Sequence, residues 1–349
     1  MSLSIKAFHQ SLPLAQVFRI SRGAKTTAEV IVVVISDGSF IGWGEAVPYN
    51  RYGESIASVS QQLHKISEQI SSIEDHARLN ELLPPGSARN AVDCAMWDLT
   101  AKILSTTVNN LLDLPVINSC ITAQTISVDT IESMRKEARK LSHAPLLKVK
   151  LDAETVVSKM QAIHEVCPQS RFIIDANEAW DMRLLEKVLE PLKECNVALI
   201  EQPLPAEQDD NLLNFQSPIA ICADESCHST QGLNRLVGKY NAINIKLDKT
   251  GGLTEAVNLL RKAKALDFEI MVGCMVGSSL AMAPAYTLCG LADYVDLDGP
   301  LLVAKDRCSK FIFNNGVMSS IPKSLWGMGD PNHLDPELIS LSQQSKIAL

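Results

Sequence analysis

The sequence predicts an α/β fold, a TIM-like barrel of alternating strands and helices preceded by a mixed α+β part, on three observations. From Cys120 onward, short β-rich runs alternate with amphipathic segments. Charged residues close successive runs: Asp175 in DANEAW, Glu201 in IEQPLP, Asp224 in CADES and Lys246 in NIKLDKTGG follow one another at steps of 26, 23 and 22 residues. Each step is about one strand-plus-helix unit, and charges at the ends of successive parallel strands converge on the face where such barrels keep their active sites. The Gly-x-Gly-x-x-Gly turn that would mark an open doubly wound sheet is absent.

Taken in order, SIKAFHQ and AEVIVVVISDGSFIGWGEA read as strands, with Asp37-Gly38 supplying a hairpin turn. Helical periodicity covers Glu54 to Ile70 and Ala88 to Leu104, and Pro84-Pro85-Gly86 makes a stop with Ser87 as N-cap of the second helix. Eight runs then fit the strands of a barrel: ITAQTISV, LLKVKL, RFIID, VALIE, IAICAD, AINIKL, EIMVG and YVDLD. Gly251-Gly252, Gly273 and Gly277 sit at strand ends and read as tight βα turns. After Pro300 the alternation stops, and the final segment is rich in Gly, Pro and Asn. The expected division is a capping domain over 1–115, a barrel over 116–322 and a terminal segment over 323–349 that packs back on the capping domain.

Whole-chain properties exclude several classes. With 349 residues, 46% hydrophobic and 21% charged, the chain can bury large cores as an ordinary globular protein. A net charge of −8 without a basic run argues against a nucleic-acid partner. No signal-peptide pattern and no apolar run of about 18 residues is found, so no membrane partner and a cytoplasmic location are expected. Nine cysteines, an odd number scattered in apolar segments, read as reduced thiols. Cys222, Cys227 and His228 have the spacing of a soft-metal site, but no second cluster accompanies them, and buried thiols beside a strand end are the simpler reading.

The charged strand ends suggest chemistry. Asp175, Glu201 and Asp224 would repel one another unless a hard divalent cation joined them, and three oxygens leave octahedral positions for water and substrate, which suits Mg²⁺. Lys148 and Lys150, two apart on one strand, point the same way. Side by side, they are expected to lower each other's pKa, so that one can act as a base. An outer-face placement would instead turn Leu147, Val149 and Leu151 inward. Lys246 lies four strands on, across the barrel from Lys150, so a substrate between them meets a lysine on each face. Proton removal on one side and return on the other needs a cation to stabilise the enolate.

KVK, DANEAW, EQPLP, ADES and NIKLDKTGG, in this order, resemble the muconate-lactonizing branch of the enolase superfamily over almost the whole chain, a family whose chemistry is a known pattern case. The resemblance implies a (β/α)7β TIM-like barrel with an N-terminal α+β capping domain. It implies Asp175, Glu201 and Asp224 as ligands of Mg²⁺, Lys150 and Lys246 as the catalytic acid/base pair, and Lys148 near the substrate carboxylate.

The branch also holds muconate cycloisomerases, succinylbenzoate synthases and N-acylamino acid racemases. Here the last strand ends in DLD, and Asp296 and Asp298 resemble the D-x-D with which dipeptide epimerases hold a substrate ammonium. PYxRYGES, ARNAxDCAxWDL, LLKVKLD and CADESCH also resemble that group. The activity implied is Mg²⁺-dependent interconversion of L-Ala-L-Glu and L-Ala-D-Glu, in recycling of cell-wall peptides, with a small dipeptide as partner and a homo-oligomer left open. ISRGAK and PYNRYGES look like the two loops that close over substrate. Arg22 could meet a second carboxylate, with Arg19 and Lys25 competing, and Thr125 on the first barrel strand completes the substrate-binding set. Gly277 departs from the acid that many relatives carry after strand seven. Alternatives are a cycloisomerase or succinylbenzoate synthase, a non-catalytic dipeptide-binding relative, and a Schiff-base lyase, which would not need three metal carboxylates.

Overall fold

The computed structural model describes residues 3–21, 23–330, 332 and 334–343. Strands β1 (Ser4–Ile20), β2 (Gly23–Ser36) and β3 (Ile41–Ala46) form an antiparallel sheet. The β2–β3 turn is fixed by Asp37, whose Oδ1 accepts the Ser39 and Phe40 N–H groups at 2.8 and 2.7 Å. The long apolar run of β2 is buried on both faces. Ile31, Val33 and Ile35 join the core under the N-terminal helices, while Val32 and Val34 join the large core that continues into the barrel.

The first helix is shorter than its periodicity suggests, Ile56–Ser67, because Ser55 and Ser58 cap each other's backbone N–H groups. The second covers Ser87–Ile103, and its N-cap is Gly86 rather than Ser87. Ser87 is instead held by Glu54, whose carboxylate accepts both its N–H (2.7 Å) and its hydroxyl (2.6 Å). Strand β3 lies directly on this helix. A Cβ at Gly42 or Gly44 would fall 2.1 Å from the carbonyl oxygen of Ala95 or Ala91, so only glycine permits this packing.

After a short strand β4 (Ser119–Ile121), eight parallel strands follow: β5 (Gln124–Ile126), β6 (Leu146–Lys150), β7 (Arg171–Asp175), β8 (Val197–Glu201), β9 (Ala220–Ala223), β10 (Ala242–Ile245), β11 (Glu269–Gly273) and β12 (Tyr294–Asp296). They pair in sequence order, and the Ala123 N–H donates to Val295 O at 2.8 Å, joining the two ends of the sheet into a barrel. Full helices follow β5, β6, β7, β10 and β11. After β8 and β9 only short 3₁₀ segments appear, Ala206–Leu212 and Leu233–Leu236. Pro203 and Pro205 precede the first, and Gly232 and Gly238 bracket the second, residues that interrupt a helix.

The chain beyond the barrel returns over the N-terminal part. Strand β13 (Phe313–Asn314) pairs with β14 (Val317–Ser319), which in turn pairs with β4. Trp326, buried, donates its indole N–H to Cys94 O, and the Gly327 N–H donates to Asp98 Oδ1 at 2.7 Å. The N-terminal part and the barrel are joined by buried polar contacts. Arg307 Nη2 donates to Glu45 Oε2 at 2.6 Å, and Arg89 donates to the carbonyls of Thr250 (2.6 Å) and Gly251 (2.9 Å). The Gly251 turn needs its positive φ of 76°, and a Cβ there would meet Arg89 Nε at 2.5 Å.

Asp248 lies in the same interface, accepting the Val47 N–H and Asn90 Nδ2 at 2.9 Å each. Burial pushes its carboxyl up to about 7, against those two hydrogen bonds. An unfolded aspartate titrates near 3.8, so between these values the folded chain holds more protons. Its stabilising contribution is complete below the unfolded value and is lost as pH rises through the folded one. Asp248→Asn should therefore flatten the decline in stability between about pH 4 and about pH 7, as measured by denaturant unfolding across that range.

Candidate active site

The barrel interior is built in two layers by strand alternation. Ala123, Leu146, Ile173, Leu199, Cys222, Ala242, Met271 and Tyr294 form an apolar floor. Side chains two and four residues further on share the same inward face. From Ala123 this gives Thr125, and from Leu146 it gives Lys148 and Lys150. Ile173, Leu199 and Cys222 lead to Asp175, Glu201 and Asp224. Ala242 leads to Asn244 and Lys246, and Tyr294 to Asp296 and Asp298. Leu147, Val149 and Leu151 belong to the core outside the strands, so the outer-face placement of the two lysines does not occur.

Cross-strand register carries these ends together: Lys150 pairs with Asp175 and Asp175 with Glu201. Lys150 donates to Asp175 Oδ2, and Lys246 to Asp224 Oδ2 at 2.6 Å. Lys148 Nζ lies 3.1 Å from Asp175, 2.6 Å from Glu201 and 2.7 Å from Asp296. Thr125 presents its backbone N–H to Asp298 Oδ2 at 2.7 Å. All five carboxylates are buried.

The electrostatics correct one expectation. The Lys148 ammonium is not lowered by its neighbour. Burial pulls it down, but Asp296, Glu201 and Asp175 outweigh this and hold it well above the ordinary lysine range. Lys246 is raised in the same way, burial being overcome chiefly by Asp224 and Glu201. Among the acids, burial would raise Asp175 and Asp224, but adjacent lysines hold both low, while burial and the Asp175 charge raise Glu201. Burial, then the charge of Asp296, pushes Asp298 up to about 7.

Two residues that the sequence reading passed over belong to this network. Lys249, fully buried, donates to Asp224 Oδ1 (2.6 Å), Asp224 O and Asn244 O. Asn244 Nδ2 donates to Glu201 Oε1 at 2.7 Å. Of the capping loops, PYNRYGES is pinned to the barrel mouth. Arg51 pairs with Glu178 at 2.9 Å and Glu207 at 3.2 Å, and the Tyr52 ring meets His228 edge-on at 4.6 Å. In ISRGAK, Lys25 sits 5.1 Å above the Tyr49 ring, and just before that loop Phe18 lies 6.0 Å from Lys150 Nζ. Arg22 lies outside the described residues. At Gly277 a Cβ would stand 3.1 Å from Glu45 Oε1, so the carboxylate nearest that position comes from the N-terminal domain.

Asp175, Glu201 and Asp224 offer hard oxygen donors of the kind a divalent cation takes. Glu201 Oε2, although close to Lys148, is buried without a well-formed hydrogen bond, so the donor set fits such an ion. Their oxygens are not all within 4.8 Å of one another; among the described residues only Cys308, Asp335 and Glu337 meet that spacing. Those last two serve the chain end, Asp335 capping its helix and Glu337 lying beside Arg307. Cys222, Cys227 and His228 do not form a ligand group. Cys222 lies in the barrel floor, and His228 packs on Tyr52. None of the nine cysteines forms a disulfide, and only Cys308 is exposed. Among the described residues no helix is long and apolar enough to cross a membrane.

A barrel covered by its own N-terminal domain, with lysines and carboxylates facing one another across its mouth, is the architecture of enolase-like enzymes. Family models agree: the N-terminal domain of mandelate racemase / muconate lactonizing enzyme matches residues 2–113, and the enolase C-terminal domain-like model matches 132–306. The chain belongs to this branch of the enolase superfamily. It is 51% identical over 300 residues to the N-acetyl-D-glutamate racemase of a Pseudoalteromonas species, covering 85% of this chain and 95% of the relative. With the L-Ala-D/L-Glu epimerase of Escherichia coli K12 it shares 42% identity, covering 90% and 99%. The crystal structure of an Agrobacterium tumefaciens enolase family member with homology to dipeptide epimerases, holding sodium and L-Ala-L-Glu, superposes with a TM-score of 0.89 at 42% identity, covering 93% and 100%.

Lys249→Met should test the role of the buried network. Removing one partner of a buried ion pair costs about 3–5 kcal/mol, so the denaturant midpoint should drop markedly. Truncation of an exposed lysine such as Lys140 should leave it nearly unchanged.

Proposed function

We propose that the protein is a Mg²⁺-dependent isomerase that inverts the α-carbon of the glutamate in L-Ala-L-Glu and L-Ala-D-Glu. The observation that carries the substrate is Asp296 Oδ1, which is buried and has no hydrogen-bond partner, beside Asp298. Two inward carboxylates with an acceptor left open call for a cationic donor, and the α-ammonium of an N-terminal residue supplies it. A cycloisomerase or succinylbenzoate synthase substrate has no ammonium to offer. A cytoplasmic site of action is part of the proposal, supported by nine unpaired thiols, and recycling of cell-wall peptides is the use that the dipeptide suggests.

Asp175, Glu201 and Asp224 are the residues that would hold the metal. When bound, it supplies Lewis acidity for the negative charge that develops on the substrate carboxylate as the α-proton leaves. Lys150 and Lys246, on strand ends four apart around the barrel, stand on opposite faces of the reacting carbon. One takes the proton from the α-carbon and the other returns a proton to the opposite face. Lys148 stays charged near the substrate carboxylate and balances it. The Arg51 contacts and the Tyr52–His228 contact close the mouth and limit access of water. Arg22 is the proposed partner of the glutamate side chain.

A second reading is racemisation of N-acetylglutamate, favoured by the 51% identity to a racemase of that name. The two substrates share an N-acylated glutamate, and they differ in the ammonium that Asp296 and Asp298 would hold. Comparing kcat/KM for L-Ala-L-Glu and N-acetyl-L-glutamate decides between them: the dipeptide should win, and a clear preference for the acetyl compound would reverse the assignment. Asp298→Asn should raise KM for the dipeptide while leaving Mg²⁺ affinity, measured by titration calorimetry, unchanged.

Chelation with EDTA should abolish turnover and added Mg²⁺ restore it. Lys150→Ala and Lys246→Ala should each lower epimerisation by about 10²- to 10⁴-fold, yet each should still wash deuterium into the one epimer that its remaining lysine faces, as seen by proton NMR in D₂O. Equal exchange of both epimers by either variant would rule out the two-base geometry.

A further inference from the structure

A cavity of about 230 Å³ opens beside the substrate site and extends away from the reacting groups. Asp298 and Thr125 form its inner end. Phe18 and Arg19 cover it from the capping strand, and the helix Ile131–Lys140 contributes Ser133, Met134 and Glu137. Asp175, Glu201, Asp224, Lys150 and Lys246 do not line it. It therefore begins where the substrate ammonium is placed and continues on the side of the N-terminal residue, opposite the carbon that inverts. An alanine methyl group would leave most of it unfilled.

Its chemistry favours a particular occupant. Gln124 Oε1, in the wall, is buried and has no hydrogen-bond partner. An acceptor in that condition is costly unless a ligand brings a donor. The charged groups in the wall are Asp129, Glu137 and Asp298 against Arg19; Glu137 is paired with Lys140 at 2.6 Å, which leaves Asp129 and Asp298 against Arg19. The apolar part, including Val17, Phe18, Ile126 and Met134, suits an aliphatic stem. We propose that this cavity is a specificity pocket for the first residue of the dipeptide, and that it takes a long aliphatic side chain ending in a cationic nitrogen donor, as in L-Lys-L-Glu. The assignment rests on the dipeptide reading of the site and extends it. Gln124 is a specificity residue that takes no part in proton transfer.

The test compares L-Ala-L-Glu, L-Lys-L-Glu and L-norleucyl-L-Glu, which keeps most of the aliphatic chain and lacks the ammonium, with the Mg²⁺-loaded enzyme and two variants. L-Lys-L-Glu should match or exceed L-Ala-L-Glu in kcat/KM and exceed the norleucyl compound by about tenfold. Gln124→Leu should lower kcat/KM for L-Lys-L-Glu by about five- to tenfold without changing L-Ala-L-Glu. Ser133→Trp, made on the exposed side of its helix, should hinder both long substrates and spare L-Ala-L-Glu. If L-Ala-L-Glu is turned over but L-Lys-L-Glu is about a hundredfold poorer, or if Gln124→Leu slows both alike, the pocket assignment is overturned and the dipeptide reading stands. If N-acetylglutamate alone is turned over, the dipeptide reading falls and the pocket assignment with it.

Discussion

The constraint on which the rest depends is charge balance inside a closed barrel. Five carboxylates and the ammonium groups of Lys148, Lys150, Lys246 and Lys249 are packed above an apolar floor, all of them buried. Isolated, any of these charges would be expensive to remove from water. Together they hold one another in place: Lys148 touches three acids, and Lys249 fixes both the side chain and the backbone of Asp224. The arrangement supplies little net stability, because desolvation offsets attraction. What it provides is position, since each charged atom can be neutralised only where its partners already are.

That position comes from the simplest property of a strand, its period of two. The floor residues and the charged residues are the same inward rows read at successive heights, and parallel register places Lys150, Asp175 and Glu201 side by side. For this reason much of the site was legible in the sequence: an apolar run closed by a charge, repeated at the spacing of a βα unit, fixes both the strand and the direction of its last side chain. The same rule, applied once more, would have found Asn244, two residues before Lys246 on the same face. It could not find Lys249, which follows the strand in a short helical turn and reaches back by a path the period does not describe.

The less legible parts are those where distant segments decide. Ser87 looked like a helix cap, but Glu54, remote in sequence, takes both its donors and leaves Gly86 at the cap. The two connections after β8 and β9 carry enough polar and apolar alternation to suggest helices, yet proline and glycine reduce them to 3₁₀ turns. The mutual lowering expected of Lys148 and Lys150 considered only the pair. Three carboxylates from other strands reverse the direction for Lys148, and nothing in a local window of sequence reports how many acids will face a given lysine. Glu45, Arg307 and Ser278, far apart in the chain, meet in one buried cluster for the same reason.

The way the N-terminal domain grips the barrel has a further consequence. Arg89 holds the carbonyls of Thr250 and Gly251, and Asp93 binds Thr254 through both its N–H and its hydroxyl. These contacts fall on the segment that directly follows Lys246, so the long helix Ser87–Ile103 acts as a brace for the strand end that carries this lysine. The parts of the same domain that reach over the barrel mouth, around Phe18 and Tyr52, are attached to different elements. Substitution can therefore alter the second set without disturbing the first, so the surface over the barrel mouth can change while the charged interior stays as it was.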